Sequence, residues 1–208
     1  MPFISFEGID ASGKTTQLKI LAQNLLEQNL PTITTREAGG TELGKAIRNL
    51  VQDSHDLEIH PLSEALLYAA DRAQHLSELV CPALAKNYFV LTDRYVDSSL
   101  AFQGAQLSMQ LIRDINQLAT GGLQTDLTIL LDLPGEVAAT RLTERGIALD
   151  RIEQRGTAYQ ERVRLVYLGL ANEQPTRFLV LDARLSEKQL AELIWQEVSK
   201  RFINCKAY

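Results

Sequence analysis

An α/β fold, a five-stranded parallel sheet with helices on both faces, is what the sequence predicts, and three observations carry that expectation. Short β-rich runs recur along the whole chain: "FISFEG" (3–8), "PTITTR" (31–36), "YFVLTDR" (88–94), "LTILLDL" (127–133) and "RFLVLDA" (177–183). Several are nearly continuous Val, Ile, Leu and Phe, as strands covered on both faces require. Helical patterns separate them, and strand–helix–strand repeated in this way winds a parallel sheet. Ligands then belong at the C-terminal ends of the strands.

The elements justify themselves in order. After the first strand, "KTTQLKILAQNLLEQN" sets Leu18, Leu21, Leu25 and Leu26 at helical spacing. The last helix is announced by Ser186 and Gln189, a capping-box pair, ahead of Leu190, Leu193, Ile194 and Val198. "TERGIALDRIEQRG" (143–156) breaks the rhythm with Arg145, Arg151 and Arg155 and little apolar periodicity. Alone it reads as a solvated helix end; beside a phosphate site it reads as a mobile basic lid.

At 208 residues and 45% hydrophobic, the chain suits one domain, 1–208, with a small lid at about 143–156. A net charge of −5 gives no electrostatic case for nucleic acid or an anionic membrane as partner. Two distant cysteines, Cys81 and Cys205, fit a reduced cytoplasmic setting. "MPFISFEG" lacks the features of a signal peptide, and no apolar run reaches membrane-spanning length.

The chemistry starts at "EGIDASGKTT" (7–16), where Gly8, Gly13, Lys14 and Thr15 satisfy G-x-x-x-x-G-K-[ST]. Glycines let such a loop turn its N–H groups around phosphate oxygens, and the following helix points its positive end at the same anion. Lys14 then meets the β- and γ-phosphates, and the Thr15 hydroxyl suits Mg²⁺. A nucleoside triphosphate and Mg²⁺ follow from this, but not the reaction. "DLPG" (132–135) matches a GTPase motif on paper; no [NT]-K-x-D accompanies it, and a Pro-Gly pair after a strand more simply opens a helix. That speaks against a nucleotide-dependent switch.

Further polar clusters close the other strands. Arg36, Glu37 and Arg48 follow the second; Tyr68 and Arg72 share one helical face; Asp93, Arg94, Ser98, Ser99, Phe102 and Gln103 follow the third. Each has a structural alternative: Arg72 as a surface ion pair with Asp71 or Glu64, Tyr68 and Phe102 as core aromatics, Asp93–Arg94 as a local salt bridge. Together they supply arginines for a nucleotide phosphate and an aromatic face with amide edges for its base.

With "FEGIDASGKTTQ", "TREAGGTELG", "LLYAADRAQH", "TDRYVDSSLAFQG", "DRIEQRG", "YQERVRLVYL" and "VLDA" in this order, the sequence resembles bacterial thymidylate kinases over essentially its whole length. The resemblance implies a P-loop nucleoside-monophosphate-kinase fold, transfer of the γ-phosphate of ATP to dTMP, and a homodimer. It puts Gly8, Ile9, Asp10, Ala11, Ser12, Gly13, Lys14, Thr15 and Thr16 around the ATP phosphates, and Asp10 also toward the dTMP sugar and phosphate. Arg94 would bind the dTMP phosphate, with Asp93 and Thr15 near Mg²⁺. Arg36, Glu37 and Arg48 would close the acceptor pocket, Tyr68 would lie on the thymine and Arg72 reach its O4. Ser99 and Gln103 would meet the base edge, and Phe102 would pack on the deoxyribose. Ala38 replaces the family's proline in "TREPGG", and Tyr68 a commoner phenylalanine. Since "ASGK" lacks a loop arginine, the resemblance gives the catalytic cations, beside Lys14 and Arg94, to Arg145, Arg151 and Arg155 of the lid. Another nucleoside or nucleotide kinase on the same core is the alternative.

Overall fold

The computed structural model describes residues 1–53, 57–146 and 148–204; Ile147 of the expected lid and Cys205 lie outside them. Five strands, β1 (Phe3–Glu7), β2 (Thr32–Arg36), β3 (Phe89–Asp93), β4 (Leu127–Asp132) and β5 (Phe178–Asp182), form one sheet in the order β2-β3-β1-β4-β5. Every pairing is parallel. The strands start and stop within one residue of the apolar runs, since each run ends where a polar site residue or a turn takes over.

The pleat sends alternate residues to opposite faces. Phe3 and Val90 pack with Leu76, Val80, Ala83 and Tyr95, the Phe3 and Tyr95 rings meeting edge to face at 4.9 Å. Ile4, Phe6, Phe89 and Leu91 join the larger core cluster with Leu18, Leu21 and Leu25 of helix α1 (Lys14–Glu27). Leu26, which the same periodicity includes, is exposed, one position beyond the buried stripe.

Helices α2 (Glu42–Arg48), α3 (Pro61–His75) and α4 (Cys81–Ala85) lie between β2 and β3; α5 (Val96–Phe102) and α6 (Met109–Thr120) precede β4. Helices α7 (Gly135–Glu144) and α8 (Thr157–Glu173) precede β5, and α9 (Glu187–Val198) follows it. Pro134 is the N-cap of α7, so "DLPG" is a helix start. Ser186 and Gln189 form the expected capping box, at 3.3 and 3.1 Å, on α9. Arg177, just before β5, is held at 2.7 and 2.8 Å by both oxygens of Asp97 on α5 and by the hydroxyl of Thr128 on β4. That buried knot fixes the start of α5, from which the acceptor-side residues descend. Among the described residues, no helix is long and apolar enough to cross a membrane.

Candidate active site: a phosphate loop joined to an acceptor cavity

Residues 8–13 link β1 to α1 and turn back on themselves through positive φ at Gly8 (136°), Ala11 (58°) and Gly13 (96°). At Gly8 a Cβ would stand 2.5 Å from the Leu131 carbonyl oxygen of the neighbouring strand, so only glycine fits. Gly13 is the N-cap of α1 and makes no side-chain cap, which leaves the helix's first N–H groups pointing into the loop. Lys14 is buried there, its Nζ donating to the Ile9 carbonyl at 2.8 Å and to Ser12 Oγ at 3.5 Å. Burial, reinforced by the nearby Arg94 charge, brings its pKa down to about 8. An anion in the loop would push it back up.

Thr15 Oγ1 donates to Asp93 Oδ2 at 2.5 Å, so the end of β3 meets the first turn of α1. A hydroxyl and a carboxylate are hard oxygen donors that suit Mg²⁺, which takes one or two protein oxygens and completes its shell with phosphates and water. Among the described residues, no group of three or more His, Cys, Asp and Glu could build a self-sufficient metal cage. The donor set fits a metal that arrives with a nucleotide.

Arg94 is the pivot of the site. Its backbone, at φ 72°, occupies the left-handed region that side chains rarely adopt, a strain of about 1 kcal/mol. Its N–H is held by the Phe6 carbonyl at 3.0 Å. The guanidinium donates to Asp10 Oδ1 at 2.7 Å, the Gly8 carbonyl at 2.9 Å, Ser98 Oγ at 3.2 Å and Tyr167 Oη at 3.3 Å, and lies 4.9 Å above the Phe102 ring. The Asp93–Arg94 pair that adjacency suggests is not the one formed: successive side chains diverge, and Arg94 pairs with Asp10. Burial opposes ionisation of Asp10, yet Arg94 and Lys14 together keep its carboxyl below the usual range. Gln160 of α8 donates to its other oxygen at 3.3 Å.

Behind Arg94, the wholly buried Glu7 accepts from Tyr95 N at 2.7 Å, Ser98 Oγ at 2.6 Å and Tyr167 Oη at 2.8 Å. Burial, with Asp97 nearby, pushes its carboxyl up to about 7.

The acceptor side is a pocket lined by Tyr68, Arg72, Ser99, Phe102 and Gln103, with Gln52, Asp150 and Ile152. Arg72 is not on the surface. Its guanidinium is 2% exposed and donates to Glu37 Oε2 at 2.7 Å, Ser99 Oγ at 3.0 Å, the Tyr95 carbonyl at 3.1 Å and Asn116 Oδ1. Glu37 also meets His75 Nδ1 at 2.7 Å, and His75 Nε2 meets Thr35 at 2.7 Å. Arg72 therefore pairs with neither Asp71 nor Glu64, because α3 turns it under the strand ends. The Glu37–Ala38 peptide is cis, with alanine where the family's proline is absent, and Arg48 Nη1 donates to the Ala38 carbonyl at 3.1 Å. Arg36 stands exposed at the mouth. Tyr68 Oη accepts from Gln52 at 3.4 Å. Phe102 is both core aromatic and cavity wall.

The phosphate-loop cleft and the acceptor cavity share Asp10, Glu37, Arg94 and Asp150. The two therefore adjoin at these four residues.

The arginines of the basic segment are paired with carboxylates and divide between the two sides of the site. Arg145 lines the phosphate cleft and forms a two-pronged pair with Glu153, at 2.9 and 2.8 Å. Arg151 and Arg155 instead converge on one oxygen of Glu64 on α3, Arg155 at 2.6 Å. Their charges lie on the acceptor side because a wholly buried carboxylate attracts them there.

Several contributors carry no role in the sequence reading: Glu7, Glu64, Asp150, Gln160 and Tyr167. Signals existed for two groups. Glu64, Tyr68 and Arg72 repeat every four residues along α3, and Gln160 and Tyr167 stand seven apart on α8. Arg141 of α7 is also new: it bridges the Ala11 and Ala183 carbonyls at 3.2 and 2.9 Å, beside the phosphate loop.

Comparison with known proteins identifies the family. Residues 6–194 match the family model described as thymidylate kinase. A thymidylate kinase of Deinococcus radiodurans is 47% identical over 201 residues, covering 96% of this chain and 97% of its own. One from Trichormus variabilis is 44% identical over 200 residues, with 95% of each chain covered. The crystal structure of thymidylate kinase from Ehrlichia chaffeensis superposes with a TM-score of 0.78 at 29% identity, covering 95% of this chain and 98% of that one. Sequence, fold and cleft thus lead to one conclusion: the chain belongs to the thymidylate kinase family.

Proposed function

We propose that this cleft performs the reaction of its family, transfer of the γ-phosphate of ATP to dTMP to give ADP and dTDP, with the roles divided as follows. The chain is a phosphotransferase that uses ATP; what is ours is the assignment of residues. The observation that carries it is that the two pockets adjoin at Asp10, Glu37, Arg94 and Asp150. Two nucleotides laid in them would bring their phosphates together at Arg94.

Residues 8–16 hold the ATP phosphates. Arg141, spanning Ala11 and Ala183, offers a flat cation beside them for the adenine ring. In the acceptor cavity Tyr68 faces the thymine and Phe102 the deoxyribose, while Ser99 and Gln103 meet the base edge. Arg72 has five donors, four of them with protein partners as described above, so it contributes one N–H to the base and otherwise holds the cavity wall. Arg94, oriented by Asp10, takes the dTMP phosphate with Arg36 and Arg48, while Glu37 orients Arg72.

The attacking dTMP oxygen is already anionic, so no side-chain base is needed, and catalysis is positioning plus charge neutralisation. Lys14 and Arg94 stabilise the charge on the moving phosphoryl, and Arg145 joins them by exchanging Glu153 for phosphate. Mg²⁺, held by Thr15 and Asp93 together with the nucleotide, would supply further neutralisation of the phosphates. Segment 143–156 acts as a lid on a single domain, excluding water.

We also place the protein in the cytoplasm as a homodimer. Leu43 of α2, Leu66 of α3 and Leu118 of α6, three helices that pack together, are 49%, 51% and 88% exposed, which supports an apolar contact between copies. ATP consumption measured with dTMP, dUMP, dCMP, AMP, GMP and thymidine tests the main assignment. Turnover with dTMP foremost is expected; a faster reaction with any of the others would move the acceptor assignment to that compound.

A further inference from the structure

Glu64 lies outside every role assigned above, yet it is the most heavily engaged carboxylate on the acceptor side. Its side chain is 1% exposed. One oxygen, Oε2, accepts from Arg155 Nη2 at 2.6 Å and from Arg151 Nη2; the other accepts from Gln103 Nε2 at 3.1 Å. Arg151 is tied down further, its backbone N–H donating to the Gln52 carbonyl at 3.2 Å and its Nε to the Val51 carbonyl at 2.7 Å. Arg155 Nη1 donates to Tyr159 Oη at 2.9 Å and its guanidinium stacks 5.1 Å from that ring. Ile152, between these two arginines, and Asp150, just before them, line the cavity together with Tyr68 and Arg72. Two like charges that close together repel unless a carboxylate separates them, and the low-dielectric setting strengthens both the repulsion and its relief.

We propose that Glu64 is a positioning residue that pins segment 150–155 over the acceptor cavity through Arg151 and Arg155, so that a seated acceptor base and the pinned segment stabilise each other. Gln103 is the link to the base: the oxygen of Glu64 that the arginines leave holds the amide that would meet the base edge. Arg151 and Arg155 then serve retention of the acceptor, and of the lid arginines only Arg145 serves the phosphates. This rests on the assignment of the cavity to the dTMP base.

Glu64→Gln keeps the shape and an acceptor for Gln103 but removes the charge between the arginines. The expected result is a KM for dTMP raised about tenfold with kcat changed less than about threefold. When Arg151→Gln and Arg155→Gln are already present, adding Glu64→Gln should change KM by less than about twofold, because the pin acts through those two side chains. An unchanged KM in Glu64→Gln, or effects that simply multiply in the triple variant, would overturn the proposal. Should Glu64→Gln not fold, the Arg151→Gln/Arg155→Gln protein decides alone: a raised dTMP KM supports the pin, and a collapsed kcat with normal KM refutes it. Trypsin provides a readout independent of turnover. Bound dTMP should slow cleavage after Arg151 and Arg155 in the unsubstituted protein and not in Glu64→Gln; equal protection in both overturns the pin. If the unsubstituted protein fails to phosphorylate dTMP at all, the cavity assignment itself falls, a result distinct from any of these.

Discussion

The phosphate loop and the basic segment 143–156 face each other across one cleft and both present cations, but they are held in different ways. The loop is fixed by backbone: three positive-φ residues, a strand carbonyl packed against Gly8, and a helix whose first N–H groups have nowhere else to point. The basic segment is fixed by side chains, Arg145 on Glu153 and Arg151 with Arg155 on Glu64. Backbone geometry cannot be exchanged for a ligand, whereas an ion pair can. In the proposed reaction the loop is ready before substrate arrives, Arg145 exchanges Glu153 for phosphate when it does, and Arg151 with Arg155 stay on Glu64.

Substitutions at Lys14 test the ready half most severely. Lys14→Ala should lower kcat by about 10³-fold or more while circular dichroism and melting stay normal, since Lys14 bonds only within its own loop. Near-normal turnover would remove the loop from the chemistry. On the exchanging half, Arg145→Ala should lower kcat about 10²-fold with little change in dTMP affinity; an unaffected kcat would leave Arg145 as no more than the partner of Glu153. Arg72→Ala probes what lies between them. It strands Glu37 with His75 alone and should cost about 3 kcal/mol of stability in denaturant titration. Along with that, preference for dTMP over dCMP should weaken; a variant as stable and as selective as its parent would contradict both roles.

A further effect concerns pH. Glu7 has a folded pKa of about 7 against an ordinary 4.5, so the folded protein keeps a proton there that the unfolded chain releases. This group's contribution to stability is full below about pH 4.5 and is lost as pH rises to about 7. Glu7→Gln, compared with its parent by thermal melts, should show a stability difference that moves in its favour across that window and is flat above it. A difference independent of pH from 4.5 to 7 would mean that Glu7 titrates normally despite its burial.

The same contrast explains what the sequence disclosed. Phosphate-loop spacing is a local property, so Gly8, Gly13, Lys14 and Thr15 could be read directly, as could the Ser186–Gln189 box. The five strands were equally plain: burial on both faces makes β1, β3 and β4 nearly continuously apolar, and the edge strands β2 and β5 are marked by β-branched and apolar residues. Partners far apart in the chain were not legible. Arg72 meets Glu37 across 35 positions, and Arg151 meets Glu64 across 87. A charged run looks the same in sequence whether it is solvated or neutralised by a distant carboxylate, and only the packing of α3 under the basic segment distinguishes them. Adjacency misled at Arg94, whose neighbour Asp93 serves Thr15 instead.

The seam where both pockets meet Asp10, Glu37, Arg94 and Asp150 has a stereochemical consequence. A relay through a protein nucleophile would displace the phosphoryl group twice and return its original handedness. Across a single seam, nucleophile and leaving group stand on opposite sides of one phosphorus atom, and the group is displaced once. A γ-phosphoryl made chiral by isotopes of oxygen would leave ATP with one hand and reach dTMP with the other.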